Sequence, residues 1–128
     1  MKEQKFYICE HCGNIVAKIH DAGVPLFCCG QKMTELVPGT VEASHEKHIP
    51  AVSVEGSTVK VAVGSVAHPM VEEHYIPWVY LQTSVGGQRK NLAPGGAPEV
   101  VFALAEGEEP VAVYAYCNLH GLWKTELN

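Results

Sequence analysis

The chain is short of basic charge. Nine Lys and Arg stand against fourteen Asp and Glu, a formal net charge of −5 over 128 residues. The broad basic face of a general nucleic-acid binder is therefore missing. It also lacks a long apolar run, for nothing approaches the ~20 residues that span a bilayer. Only a few apolar residues follow the opening Met1-Lys2-Glu3-Gln4-Lys5, which is not the pattern of a secretory signal peptide. The expected setting is the cytoplasm, with no membrane and no nucleic acid as partner. Internal repeats and low-complexity tracts are missing too. Long helices are disfavoured, because 12 Gly and 8 Pro punctuate the sequence. Hydrophobic residues at 47% and charged residues at 18% exclude a disordered chain.

Cysteine and histidine, by contrast, are plentiful. There are five Cys and seven His, the soft and borderline ligands of transition metals. Without an export signal, disulfides are the less expected use of the thiols. Cys9, Cys12, Cys28 and Cys29 fall early, and Cys117 stands alone near the end.

Two units are expected, residues 1–37 and 38–128, with Val37-Pro38-Gly39 as the linker. The first is too small to hold itself together by apolar burial, and a thiolate-bound metal is the staple that suits a reducing compartment. The second reads as β. Val52 and Val54 alternate with Ser53 and Glu55, and Val59, Val61 and Val63 alternate with Thr58, Lys60 and Ala62. Glu55-Gly56-Ser57-Thr58 between them is a hairpin turn. Further strands are expected over Tyr75–Ser84, Gln88–Leu92, Glu99–Ala105, Val111–Cys117 and Leu122–Leu127. Turns are expected at Gly86-Gly87, Pro94-Gly95-Gly96 and Glu106–Pro110. Pro77 places its strand at an edge or delays its start. A helical turn is weakly indicated over Glu42–His48. Seven short strands with period-2 patterning suggest a β-sandwich of immunoglobulin-like type.

Cys9-x2-Cys12, followed by the adjacent Cys28-Cys29, is a strong metal signal. Gly13 and Gly30 follow each pair and permit tight backbone turns. Adjacent side chains in extended chain point to opposite sides, so Cys28 and Cys29 reach one ion only if the backbone bends there. The pattern leaves open a zinc staple without redox role and an iron tetrathiolate that exchanges one electron. His11, inside the first loop, reads as exposed.

Cys117 lies in phase with Val111, Val113 and Ala115 and points toward the core. His120 follows at the spacing of a chelating pair. His68, His74, His45 and His48 lie on connections, which cluster at the ends of a small sandwich. Zinc usually stops at four ligands, whereas four imidazoles and a thiolate with one open position suit an iron that binds a small molecule.

In combination these motifs resemble the desulfoferrodoxins, the two-iron class of superoxide reductase. The resemblance spans nearly the whole chain. It is carried by Cys9-x2-Cys12 with Cys28-Cys29, by Glu46-Lys47-His48, by His68-Pro69 and His74, and by Cys117-Asn118-Leu119-His120-Gly121. It implies two irons per chain. Cys9, Cys12, Cys28 and Cys29 would hold the first in a desulforedoxin-like subdomain. His48, His68, His74 and His120 would surround the second, with Cys117 axial and the remaining position open to superoxide. It also implies one-electron reduction of superoxide to hydrogen peroxide, a homodimer, and a rubredoxin-like electron donor. Lys47 would draw in the anion and aid protonation, and Glu46 would take the open position after oxidation. The alternative is a non-catalytic iron electron-transfer protein with no metal at the histidines. A third is a zinc-stapled binding module.

Overall fold

The computed structural model describes residues 2–127. The chain divides into two units, Met1–Val37 and Pro38–Asn128.

The first unit holds five short strands: β1 (Phe6–Ile8), β2 (Ile15–Ala17), β3 (Phe27–Cys28), β4 (Gln31–Lys32) and β5 (Thr34–Glu35). They form a sheet in the order β2-β1-β5 and a separate β3–β4 hairpin. Phe6, Cys9 and Met33 are the buried apolar residues described here, far too few to offset the ordering of the unit. The loop after β2 is tied by an ion pair, Lys18 Nζ to Asp21 Oδ1 at 2.9 Å. The Gly23 N–H donates to the same oxygen at 2.8 Å.

The second unit opens with one helical turn, α1 (His45–His48). Seven strands follow: β6 (Pro50–Glu55), β7 (Thr58–Val63), β8 (Trp78–Thr83), β9 (Gly86–Asn91), β10 (Glu99–Ala103), β11 (Pro110–Cys117) and β12 (Gly121–Glu126). They make two antiparallel sheets, β10-β7-β6 and β12-β11-β8-β9. Inward residues of both sheets meet in one core. Val59, Val61 and Val63 of β7 with Phe102 of β10 face Val79 and Leu81 of β8 with Val113, Ala115 and Cys117 of β11. The architecture is the expected β-sandwich following a cysteine-rich metal unit.

Several boundaries differ from the sequence expectation for local reasons. β8 starts at Trp78 rather than Tyr75, since Pro77 has no N–H to give a ladder; it lies inside its sheet, between β11 and β9. β10 ends at Ala103 because the next amides leave the ladder: Leu104 N–H donates to Ser57 O at 2.7 Å and Ala105 N–H to Glu108 Oε1 at 3.0 Å. Gly86-Gly87 is not the turn. Thr83 pairs with Gly86, so Ser84-Val85 makes the connection and both glycines lie in β9. A Cβ on Gly87 would collide with the phenol of Tyr80, so this glycine makes room for the cross-strand tyrosine.

The register gathers five strand ends, joined by three connections, at one end of the sandwich. Pro50 pairs with Val63, Trp78 with Tyr116, and Cys117 with Gly121. Hence the start of β6, the end of β7, the start of β8, the end of β11 and the start of β12 share that end. These are the positions flanking His48, His68, His74, Cys117 and His120.

Candidate metal centres

In the first unit, two backbone turns bring the thiols together. After β1, Gly13 N–H donates to Cys9 O at 2.8 Å and Cys12 N–H points to Cys9 Sγ at 3.5 Å. Gly13 closes this knuckle at φ +83. The second knuckle joins β3 to β4 through Cys29 and Gly30, with φ of +54 and +72, a left-handed pair of the kind that makes the tightest hairpins. Cys29 is the only non-glycine with positive φ among the described residues. That conformation supplies the bend that adjacent cysteine ligands require. All four Sγ atoms lie within 4.8 Å of one another; Cys12–Cys28 measures 3.7 Å and Cys28–Cys29 3.9 Å. A tetrahedron with metal–sulfur bonds of about 2.3 Å has edges of about 3.8 Å, so the spacing suits a single ion.

The thiols' acidities fit the same conclusion. The Cys12 N–H stabilises the Cys9 thiolate and lowers its pKa to about 6. Hydrogen bonding with Cys12 raises Cys28, and drives Cys29 up to about 12. A cation is needed to hold all four as thiolates.

In the second unit, His48 ends α1, His68 and His74 lie on the β7–β8 connection, Cys117 ends β11 and His120 sits in the turn to β12. One donor atom each from His48, His74, Cys117 and His120 lie within 4.8 Å of one another. His68 adjoins them: its Nε2 is 3.1 Å from His48 Nε2, and its ring centroid is 4.6 Å from that of His74. The outer nitrogens are committed. His48 Nδ1 donates to Ser44 O at 2.6 Å and His68 Nδ1 to Pro69 O at 2.7 Å. Carbonyls only accept, so a neutral ring must turn an Nε2 lone pair inward. His120 Nδ1 also faces inward, 3.2 Å from His48 Nε2 and 3.8 Å from Cys117 Sγ. His74 Nε2 is buried without a hydrogen-bond partner.

Converging lone pairs repel unless a cation lies among them. Burial keeps the rings neutral, lowering His48 and His74 and bringing His68 down to about 4, which is the ligating state of imidazole. Burial raises the Cys117 thiol, opposed by the backbone N–H groups of Leu119 and His120. The donor set of four imidazoles and one thiolate fits a metal that stabilises that thiolate.

Glu46 and Lys47 are exposed on α1 beside His48. The Lys47 charge contributes, after burial and His120, to lowering His74, which places its field on the cluster. His11 and His20 are exposed, and neither belongs to a metal-binding cluster among the described residues. His45 packs edge-on to Trp123 with centroids 5.5 Å apart. Sequence reasoning missed the supports. Ser44 O and Pro69 O are carbonyls, which no residue type signals. Gly64 and Trp123 carry no ligand chemistry and show their roles only in contact.

Two family models cover almost the whole chain. The desulfoferrodoxin model matches residues 40–126 and the desulfoferrodoxin N-terminal domain model residues 1–36. A desulfoferrodoxin of Syntrophotalea carbinolica is 47% identical over 120 residues, 94% of each chain. Another, of Nitratidesulfovibrio vulgaris, is 44% identical over 124 residues, 97% of each. The crystal structure of the superoxide reductase from Treponema pallidum superposes with a TM-score of 0.83 at 44% identity, covering 98% of this chain and 100% of that one. A β-sandwich carrying a cluster of four histidines and one cysteine, with a tetracysteine pair of knuckles before it, defines a two-centre non-haem iron protein. The chain belongs to the desulfoferrodoxin family.

Proposed function

We propose that this protein is a superoxide reductase, with the His48, His68, His74, Cys117 and His120 centre as its reaction site. One superoxide, one electron and two protons give one hydrogen peroxide, and no dioxygen is released. The observation that carries the reading is the convergence of inward nitrogen lone pairs around a buried thiol, a donor set of five where zinc takes four. Iron held by these residues would supply the electron as a one-electron ferrous/ferric centre, with the Cys117 thiolate as its electron-rich ligand. The Cys9, Cys12, Cys28 and Cys29 centre is the relay that resupplies this electron.

The chain's own residues handle the anion and its protons. A protein of net charge −5 repels superoxide, so a local cation must draw it in. Lys47 is that cation, exposed at the cluster's rim, where its ammonium holds a water that delivers a proton. Glu46, on the same turn, is assigned the release of product by competing for its position. Burial favours the neutral form of His48, His68 and His74, which keeps their lone pairs for the metal.

Residues 1–37 act as the electron-transfer subdomain and 38–128 as the catalytic one. A homodimer in the cytoplasm, reduced by a rubredoxin-like donor, completes the proposal. No helix of the described residues is long and apolar enough to cross a membrane.

The test is a visible spectrum of the iron-loaded protein during stepwise oxidation. Two successive ferric–thiolate band sets, one from a single-thiolate site, are expected. One set would leave an electron-transfer protein. No bands would indicate a zinc-stapled module.

A further inference from the structure

The β7–β8 connection runs from Gly64 to Pro77 between paired strands and carries two of the cluster's histidines. A connection this long needs tethers if it is to hold a side chain in place. His74 is tied locally: its N–H donates to Val71 O at 3.0 Å and its carbonyl accepts from Val71 N–H at 3.1 Å. That small loop has to be fixed in turn to the rest of the cluster.

Asn118 makes that connection. Its Oδ1 accepts from Tyr75 N–H at 2.9 Å and its Nδ2 donates to Glu73 O at 3.0 Å. Its own N–H donates to Tyr75 O at 3.2 Å. The three bonds grip the residues on either side of His74. Asn118 itself stands between Cys117 and His120 on the β11–β12 turn. One donor and one acceptor at this spacing match the side-chain amide in a single orientation. A carboxylate lacks the donor, and a hydroxyl lacks the reach for both.

We propose that Asn118 is a positioning residue that locks the His74 loop to the Cys117–His120 turn, setting the donor geometry of the histidine cluster before metal arrives. The proposal rests on reading that cluster as the iron site. Asn118 is exposed, so its truncation removes no core packing and the sandwich should survive it.

The test compares wild type, Asn118→Ala and Asn118→Asp. Ferrous iron is titrated against a competing chelator and read at the single-thiolate band, with the tetrathiolate bands of the same chain as internal control. Asn118→Ala should bind iron at the histidine cluster about 10- to 100-fold more weakly, the usual effect of losing a group that supports a ligand. Its tetrathiolate bands should be unchanged. Asn118→Asp keeps the acceptor for Tyr75 and should recover part of the loss. In metal-free protein, the Tyr75 amide should exchange with solvent faster in Asn118→Ala. Equal iron affinity and equal Tyr75 exchange in all three chains would overturn the proposal while leaving the iron reading intact. No iron at the histidines of wild type would overturn both.

Discussion

The indole of Trp123 lies against the imidazole of His48, with ring centroids 5.0 Å apart and planes 28° from parallel. Its Nε1–H donates to His120 O at 3.0 Å. One buried side chain, 2% exposed, thus backs one ligand ring and holds the backbone of another. Truncating it to alanine should cost about 3–5 kcal/mol of stability in the sandwich, the range for removing a large buried aromatic. Trp123→Phe keeps a ring against His48 but gives up the bond to His120, and should fall between the two. Denaturant unfolding of the sandwich measures both. A cost near zero for Trp123→Ala would show that the stack bears no weight.

Gly64 sits where α1 meets the β7–β8 connection. A Cβ there would fall 2.6 Å from Glu46 O and 2.9 Å from both Ile49 O and the Lys47 carbonyl carbon. All three are backbone atoms, so no flexible side chain can give way. The same carbonyl of Glu46 accepts from Val66 N–H at 2.9 Å and from Ser65 Oγ at 3.2 Å. Gly64→Ala should therefore displace the Glu46–Lys47 turn and destabilise the protein by about 1–3 kcal/mol, the usual range for overpacking. A crystal structure of the variant with α1 unmoved would refute this.

Lys47→Ala should slow the encounter with superoxide at low ionic strength by about tenfold or more, the lower end of electrostatic steering. It should also flatten the salt dependence of that rate. Pulse radiolysis over a range of ionic strengths reads both effects. An unchanged rate at low salt would end the steering role.

Asp21 carries a pH signature for the first unit. Its bond with Lys18, and then the Gly23 N–H, lower its pKa to about 2 from an ordinary 3.8. The folded state thus binds this proton less readily than the unfolded chain. The stabilisation is present above about pH 4 and disappears as pH falls through about 2. Asp21→Asn should be the less stable chain near neutrality, and the gap between the two should close in acid. A gap independent of pH would show that the carboxylate's charge is not its source.

Much of the sandwich was legible because alternation marks faces. Val59, Val61 and Val63 read as one face and point inward, and Cys117 falls in phase with Val113 and Ala115 of its own strand. Pro77 signalled the delayed start of β8. Gly86-Gly87 misled, because a glycine that admits Tyr80 looks in sequence like one that makes a turn. The five strands of the first unit, two or three residues each, are too short for any period to show. The need for a bend at Cys28-Cys29 followed from chain geometry, but only the structure assigns it to Cys29 at φ +54. Ligand types were readable because thiols and imidazoles are chemically specific. Their supports were not, since carbonyls of Ser44 and Pro69 belong to the backbone, and Asn118 reads as an ordinary turn residue.

The most direct test of the central claim is the product stoichiometry of the pre-reduced, iron-loaded protein given a substoichiometric pulse of superoxide. Reduction predicts one hydrogen peroxide for each superoxide consumed, with no dioxygen evolved. Cys117→Ser should consume none at this rate. Half as much peroxide, accompanied by dioxygen, would mean dismutation and would contradict the account.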